Sequence, residues 1–159
     1  MKKLLGYMLT WTTYGSWLQG DQQGYVKDSK VLPASPALES ANKTRLQSPQ
    51  FKLNTFGKNI VRSAMTEEAK KLGQKIYAVS TYSNHVHLVV NHIELPIEKV
   101  VSHYKNAARL ALRDAGFCGK IWTRGFDKRF CYSEMGLMEK VAYVRKHNEQ
   151  DNLRREAGG

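Results

Sequence analysis

The amino-acid sequence predicts an α+β domain in which helices pack on an antiparallel sheet, and three observations predict it. A chain of 159 residues suits one compact domain, residues 1–159, with a core of its own. Short apolar runs of strand length alternate along it with longer stretches of helical spacing. Two of the strand-like runs, Ile76 to Tyr82 and His85 to Asn91, are separated by Ser83 and Asn84 alone, which suits a hairpin.

Leu4 to Trp11 is apolar and aromatic and reads as the first strand. The segment from Tyr14 to Gln50 holds most of the Gly and Pro punctuation and little periodicity, so the region 12–56 reads as a long excursion from the domain. Lys58 to Leu72 sets Ile60, Val61, Ala64, Met65, Ala69 and Leu72 at helical spacing, with Gly73 as a stop. The hairpin follows. Pro96 then opens a second helix in its first turn, carrying Val100, Val101, Tyr104, Ala107, Ala108, Leu110, Ala111 and Leu112 until Gly116 ends it. Arg129 to Tyr132 is short enough for a last strand, and Met135 to Asn148 closes the pattern as a third helix. The order β-α-β-β-α-β-α is that of the split βαβ, or ferredoxin-like, layout with an added C-terminal helix. That layout leaves one sheet face or edge for function.

Charge points to the partner. Twenty-five Lys and Arg against 14 Asp and Glu leave a net 25 − 14 = +11, densest after residue 100, and such a field attracts polyanions. The same charge is also what a merely soluble surface carries, so chemistry has to decide. A mean hydropathy of −0.52 and the lack of a long apolar run exclude a membrane span. No small-residue cleavage site follows the N-terminal apolar stretch, so a cytoplasmic location is expected. Cys118 and Cys131 form no CxxC pair, which predicts two free thiols rather than a disulfide or a structural zinc site.

His85-Val86-His87 lies at the start of a strand, where alternation sends both imidazoles to one face and Val86 into the opposite layer. Two imidazoles seldom hold a divalent ion, so a third group must come from elsewhere. Tyr143 and His147, four residues apart on the third helix, share a face about 6 Å from one another. An ion held by His85, His87 and His147 would polarise a phosphodiester, and the Tyr143 phenol beside it could attack phosphorus. A phosphotyrosine conserves the energy of the broken linkage, so strands can be rejoined without ATP. The competing structural readings are that the histidines only pack or hydrogen-bond and that Tyr143 sits in the core beside Val144 or Met138. Tyr104, followed four residues later by Ala108, reads as core. For DNA contacts, Arg124, Lys128 and Arg129 flank the last strand and Arg145 lies beside Tyr143. Tyr14 and Trp17, with Trp11 and Tyr25, are candidate base-stackers or wedges for the excursion, and Trp11 reads as core.

The stretches Tyr82-Ser-Asn-His-Val-His-Leu-Val-Val90 and Val141-Ala-Tyr-Val-Arg-Lys-His147 together resemble the HUH single-tyrosine transposases of the insertion-sequence-200 type. Ile121-Trp-Thr-Arg-Gly-Phe-Asp-Lys-Arg-Phe130 is similar to the segment before that family's final strand. Thr10-Trp-Thr-Thr-Tyr-Gly-Ser-Trp-Leu-Gln-Gly-Asp21 resembles the amino-terminal signature of the REP-associated tyrosine transposase branch. The resemblance implies that His85 and His87 are metal ligands, that the ion is Mg or Mn, and that Tyr143 forms a 5′-phosphotyrosine on single-stranded or hairpin DNA. Many relatives carry Gln where this chain has His147, and the long 12–56 segment departs from their compact form, which leaves monomer and homodimer both open. Two rival readings stand beside it: a ferredoxin-like module that binds nucleic acid without cutting it, and a metal-dependent nuclease in which water attacks.

Overall fold

The computed structural model describes residues 2–16, 24–27, 30–33 and 50–158, and of 24–27, 30–33 and 147–158 the backbone alone. Among the described residues nine elements follow in order: β1 (Gly6–Thr12), β2 (Gly24–Lys27), β3 (Lys30–Pro33), α1 (Thr55–Leu72), β4 (Ile76–Thr81), β5 (His85–Asn91), α2 (Ile97–Asp114), β6 (Asp127–Cys131) and α3 (Glu134–Gly158). The main sheet has four strands in the order β4-β5-β1-β6, every neighbouring pair antiparallel. β1 therefore runs parallel to β4, one strand away across β5, and β5 runs parallel to β6 across β1. Each parallel pair is joined through a helix, α1 or α2, so the fold is α+β with two interleaved β-α-β units.

β1 is central and buried along its whole length, which is why its sequence reads as an unbroken apolar run. Its odd-numbered side chains Tyr7, Leu9 and Trp11 join Val86, Leu88 and Val90 of β5 beneath α1 and α2, where Val61, Met65, Val100, Tyr104, Ala108 and Leu112 complete the main core. The alternate positions Met8, Ala78 and Val89 face the other way, onto Val144 with Leu137 and Val141 of α3. The second face of the sheet is thus partly roofed by α3. Gly6 permits the close approach, since a Cβ there would stand 3.2 Å from Leu137 Cδ1.

Local signals set the helix ends. Asn54 Oδ1 accepts from the Gly57 amide at 2.7 Å to cap α1, and Gly73 closes that helix in the left-handed region at φ 68°. Pro96 stands at the N-cap of α2, one position earlier than its place in the predicted first turn. A buried polar knot ties the layers: Tyr104 Oη donates to Gln74 Oε1 at 2.6 Å, and Gln74 Nε2 donates to Tyr7 Oη at 3.2 Å and to the Asn91 carbonyl at 2.7 Å. Burial pushes the phenols of Tyr7 and Tyr104 above their usual range.

Several bounds differ from those expected: β1 begins at Gly6 rather than Leu4, and α1 at Thr55 rather than Lys58. β6 begins at Asp127 rather than Arg129, because pairing with Gly6–Thr10 of β1 defines the strand and the apolar run does not. α3 runs on to Gly158, well beyond Asn148. The excursion carries a hairpin, β2 with β3, whose four-residue strands are too short for periodicity to reveal. Both cysteines are free, Cys118 exposed and Cys131 buried. No described helix is long and apolar enough to cross a membrane.

Candidate active site

The β1–β5 and β4–β5 registers align a row of side chains across the sheet: Ser80, His87, Thr10 and Asp127 stand opposite one another in turn, with His85 and Thr12 paired one step along. This row lies on the α3 side. Val86, between the two histidines, is fully buried in the opposite core, as alternation requires. β5 is flanked on both sides by paired strands, so the backbone that carries both imidazoles is held in place from either side.

His87 is buried and His85 is half-buried. Their ring centroids are 4.8 Å apart with planes 78° from parallel. Tyr82 stacks on the His85 ring at 4.4 Å and meets the His87 ring edge-on at 6.1 Å. Each Nδ1 has a fixed neighbour: Asn84 Oδ1 lies 2.7 Å from that of His85, and Thr10 Oγ1 lies 2.8 Å from that of His87. An amide oxygen only accepts, so this contact favours the His85 tautomer with the proton on Nδ1, which leaves the ring lone pair on Nε2. A threonine hydroxyl can accept as well, so the same tautomer is open to His87. Orientation of a ligating histidine by a hydrogen bond to its other nitrogen is the usual support of a metal site. The pair therefore fits two ligands of a divalent ion.

Tyr143 completes the described cluster. Val144 anchors α3 in the sheet, and the residue before it, turned about 100° around the helix, comes over the histidines. The Tyr143 ring lies 5.8 Å from that of His87, at 75°, and is 46% exposed. It is not a core residue, and neither is Met138, which stands largely in solvent. Tyr104 is fully buried, as expected. His147 follows one turn later on α3, but its side chain lies outside the described residues. Among those described, no three His, Cys, Asp or Glu side chains cluster to hold a metal.

The expected DNA contacts divide. Arg124, Lys128, Arg129 and Arg145 are all exposed. Strand alternation sends Arg129 to the histidine face, where it pairs with Asp127 at 3.2 Å. Lys128 turns to the α2 side, 3.8 Å from Glu98. Arg145 lies two residues after Tyr143 on α3. Tyr14 is half-buried under Lys120, whose Nζ is 5.4 Å from the ring centre, and its backbone joins Phe51 and Ile121 at the base of the excursion. Trp17 and the Tyr25 side chain lie outside the described residues. Trp11 is buried edge-on against Trp122, 6.0 Å between centroids. Thr10 and Asn84, the partners of the two histidines, were not foreseen: Asn84 reads as a turn residue, and Thr10 becomes visible only once the β1–β5 register is known.

A family model described as "Transposase IS200 like" matches residues 46–148, well over half of the chain and inclusive of both histidines and Tyr143. The chain belongs to the IS200-like transposase family. Among solved structures, a REP-associated tyrosine transposase bound to a REP hairpin shares the fold, with a TM-score of 0.54 and 13% identity over 94% of this chain and 69% of that one. A protein of Deinococcus radiodurans named as a transposase aligns over 91% of both chains with 16% identity and a TM-score of 0.46. Curated proteins return no match. This transposase fold thus sets a histidine pair on a central strand beneath a helix-borne tyrosine.

Proposed function

We propose that the protein nicks and rejoins single-stranded or hairpin DNA by transesterification, with Tyr143 as nucleophile and His85, His87 and His147 as holders of a Mg or Mn ion. The observation that carries this reading is the contact of the Tyr143 ring with that of His87, which sets an accessible phenol beside an oriented imidazole pair. When bound, the ion supplies Lewis-acid polarisation of a non-bridging phosphate oxygen. The Tyr143 oxygen, its proton lost to solvent, bonds to phosphorus. The bond from phosphorus to the 3′ oxygen breaks, that oxygen takes a proton from solvent, and a 5′-phosphotyrosine remains. Attack by another 3′ hydroxyl reverses these bond changes and joins the new end. Arg129 and Arg145 supply cations for phosphate contacts near the strand that is cut, and Arg124 supplies one from the loop before β6. DNA as substrate and a chain without a described membrane helix favour action in the cytoplasm.

The test incubates labelled hairpin and single-stranded DNA with the protein and Mg or Mn, followed by denaturing electrophoresis. A detergent-resistant adduct is expected, absent in Tyr143→Phe and in His87→Ala. Nicking that persists in Tyr143→Phe refutes the nucleophile. Cleavage with no adduct at any time supports attack by water instead, and binding without cleavage in either metal supports the non-catalytic module.

A further inference from the structure

One buried hydroxyl beside the histidines is not accounted for by the fold. Ser80 of β4 stands opposite His87 of β5, which sets their Cβ atoms about 4.5–5.5 Å apart on the α3 face of the sheet. Ser80 is 1% exposed, and its Oγ has no hydrogen-bond partner among the described residues. The other buried serine and threonine hydroxyls described, those of Thr10, Thr12, Thr13, Ser16 and Thr81, each have one. Shape does not explain the oxygen. Ala78, the preceding residue of β4 on this face, packs beneath α3 with a methyl alone. A buried hydroxyl left unpaired costs stability that alanine would not.

The surroundings show what the hydroxyl can serve. Thr10 Oγ1 holds His87 Nδ1 from the β1 side. A ring so turned presents its other edge, Cδ2 and Nε2, towards β4 and Ser80. Ser80 therefore lies at the foot of the edge that carries the metal-binding nitrogen. Tyr82, next on this side of β4, covers the His85 ring at 4.4 Å. At its burial Ser80 is out of reach of DNA, so its partner has to be small. A Mg or Mn ion prefers octahedral surroundings and keeps several waters. Two imidazoles and one further protein group leave about half of its positions to water or phosphate oxygen.

We propose that Ser80 is a positioning residue for the ion, its hydroxyl hydrogen-bonded to a water of the ion's shell beside His87. The inference rests on the reading of His85 and His87 as metal ligands and adds the group that fixes the ion's hydration on the β4 side. Thr10 and Ser80 then support His87 from its two neighbouring strands, one through the ring and the other through the ion's water. Outer partners of this kind govern metal affinity nearly as strongly as the ligands.

The test is calorimetric titration with Mn, without DNA, together with melting temperatures in EDTA. Ser80→Ala should bind Mn about tenfold more weakly, yet in EDTA it should melt at or above the temperature of the unaltered protein, because an unpaired buried hydroxyl has gone. Thr81→Val removes a paired hydroxyl from the opposite face of the same strand and should leave Mn affinity unaltered. Unaltered Mn affinity in Ser80→Ala overturns the proposal. So does a lower melting temperature of Ser80→Ala in EDTA, which would show a hydroxyl that holds the fold through a structural water, and so does an equal loss of affinity in Thr81→Val. An unaltered protein that takes up no Mn would defeat the reading of the histidines as ligands and this proposal with it, whereas normal uptake that Ser80→Ala fails to weaken defeats the proposal alone.

Discussion

Replacing Thr10 by valine removes one hydroxyl from the row that crosses the sheet and keeps the β-branched shape that a strand favours. In the folded protein that hydroxyl lies 2.8 Å from His87 Nδ1 and is almost wholly shielded from water, with Thr10 4% exposed. Without it, a buried imidazole nitrogen loses its partner, a change that costs about 1–3 kcal/mol. The ring is also left without the contact that directs Nε2 outward. Loss of such an orienting hydrogen bond lowers metal affinity by about 10–100-fold, equivalent to about 1.4–2.8 kcal/mol of binding free energy. Calorimetric titration with Mn reads this directly, without DNA and without turnover. Thr10→Val should bind Mn at least tenfold more weakly than the unaltered protein, and Thr10→Ser, which restores the oxygen, should recover most of the loss. A Thr10→Val protein that melts normally and binds Mn with unaltered affinity would refute the claim that β1 orients the histidine.

Asn84→Ala should have a smaller effect of the same kind on His85, about 3–10-fold weaker Mn binding by the same titration, because the His85 ring is also held by stacking on Tyr82. Gly6→Ala drives a methyl into the Val90 carbonyl oxygen and against Leu137, so the β1–β5 backbone must give beneath α3; a loss of about 1–3 kcal/mol in chemical denaturation is expected, with adduct yield falling alongside. Tyr104→Phe leaves Gln74 Oε1 without its 2.6 Å donor and should cost about 1–3 kcal/mol by thermal denaturation while sparing Mn binding. The two buried phenols also set an alkaline limit. Their folded pKa values lie above the unfolded value of about 10, so the stability they contribute is complete below that pH and is lost as pH rises through the folded values, when the unfolded chain ionises first. The melting temperature should therefore fall steeply above pH 10, and less steeply in Tyr7→Phe/Tyr104→Phe.

Much of this arrangement is legible in the chain because the physics is local. Gly73 stops α1, the two-residue gap at Ser83 and Asn84 makes the hairpin, and alternation alone puts His85 and His87 on one face with Val86 in the core. What depends on pairing between distant segments is not legible. The extent of β6 follows from β1, and the split of Lys128 from Arg129 follows from that same register, although the two are neighbours and seem interchangeable by charge. Thr10 and His87 are 77 residues apart, and only the antiparallel register makes them partners. The Tyr143 face of α3 was open to two readings, core or site, because its hydrophobic pattern is weak. Val144 settles which side is buried.

The central claim is that one phenol, brought over the histidine pair by α3, becomes covalently attached to DNA. Tryptic mapping of the protein after reaction with a short single strand and Mn tests it most directly. Cleavage after Lys140 and Arg145 isolates the peptide Val141-Ala-Tyr-Val-Arg145, whose single tyrosine is Tyr143. This peptide is expected to gain the mass of the 5′-linked nucleotides. The same mass found instead on the peptide bearing Tyr132 or Tyr104, or on no peptide while DNA is cut, would contradict it.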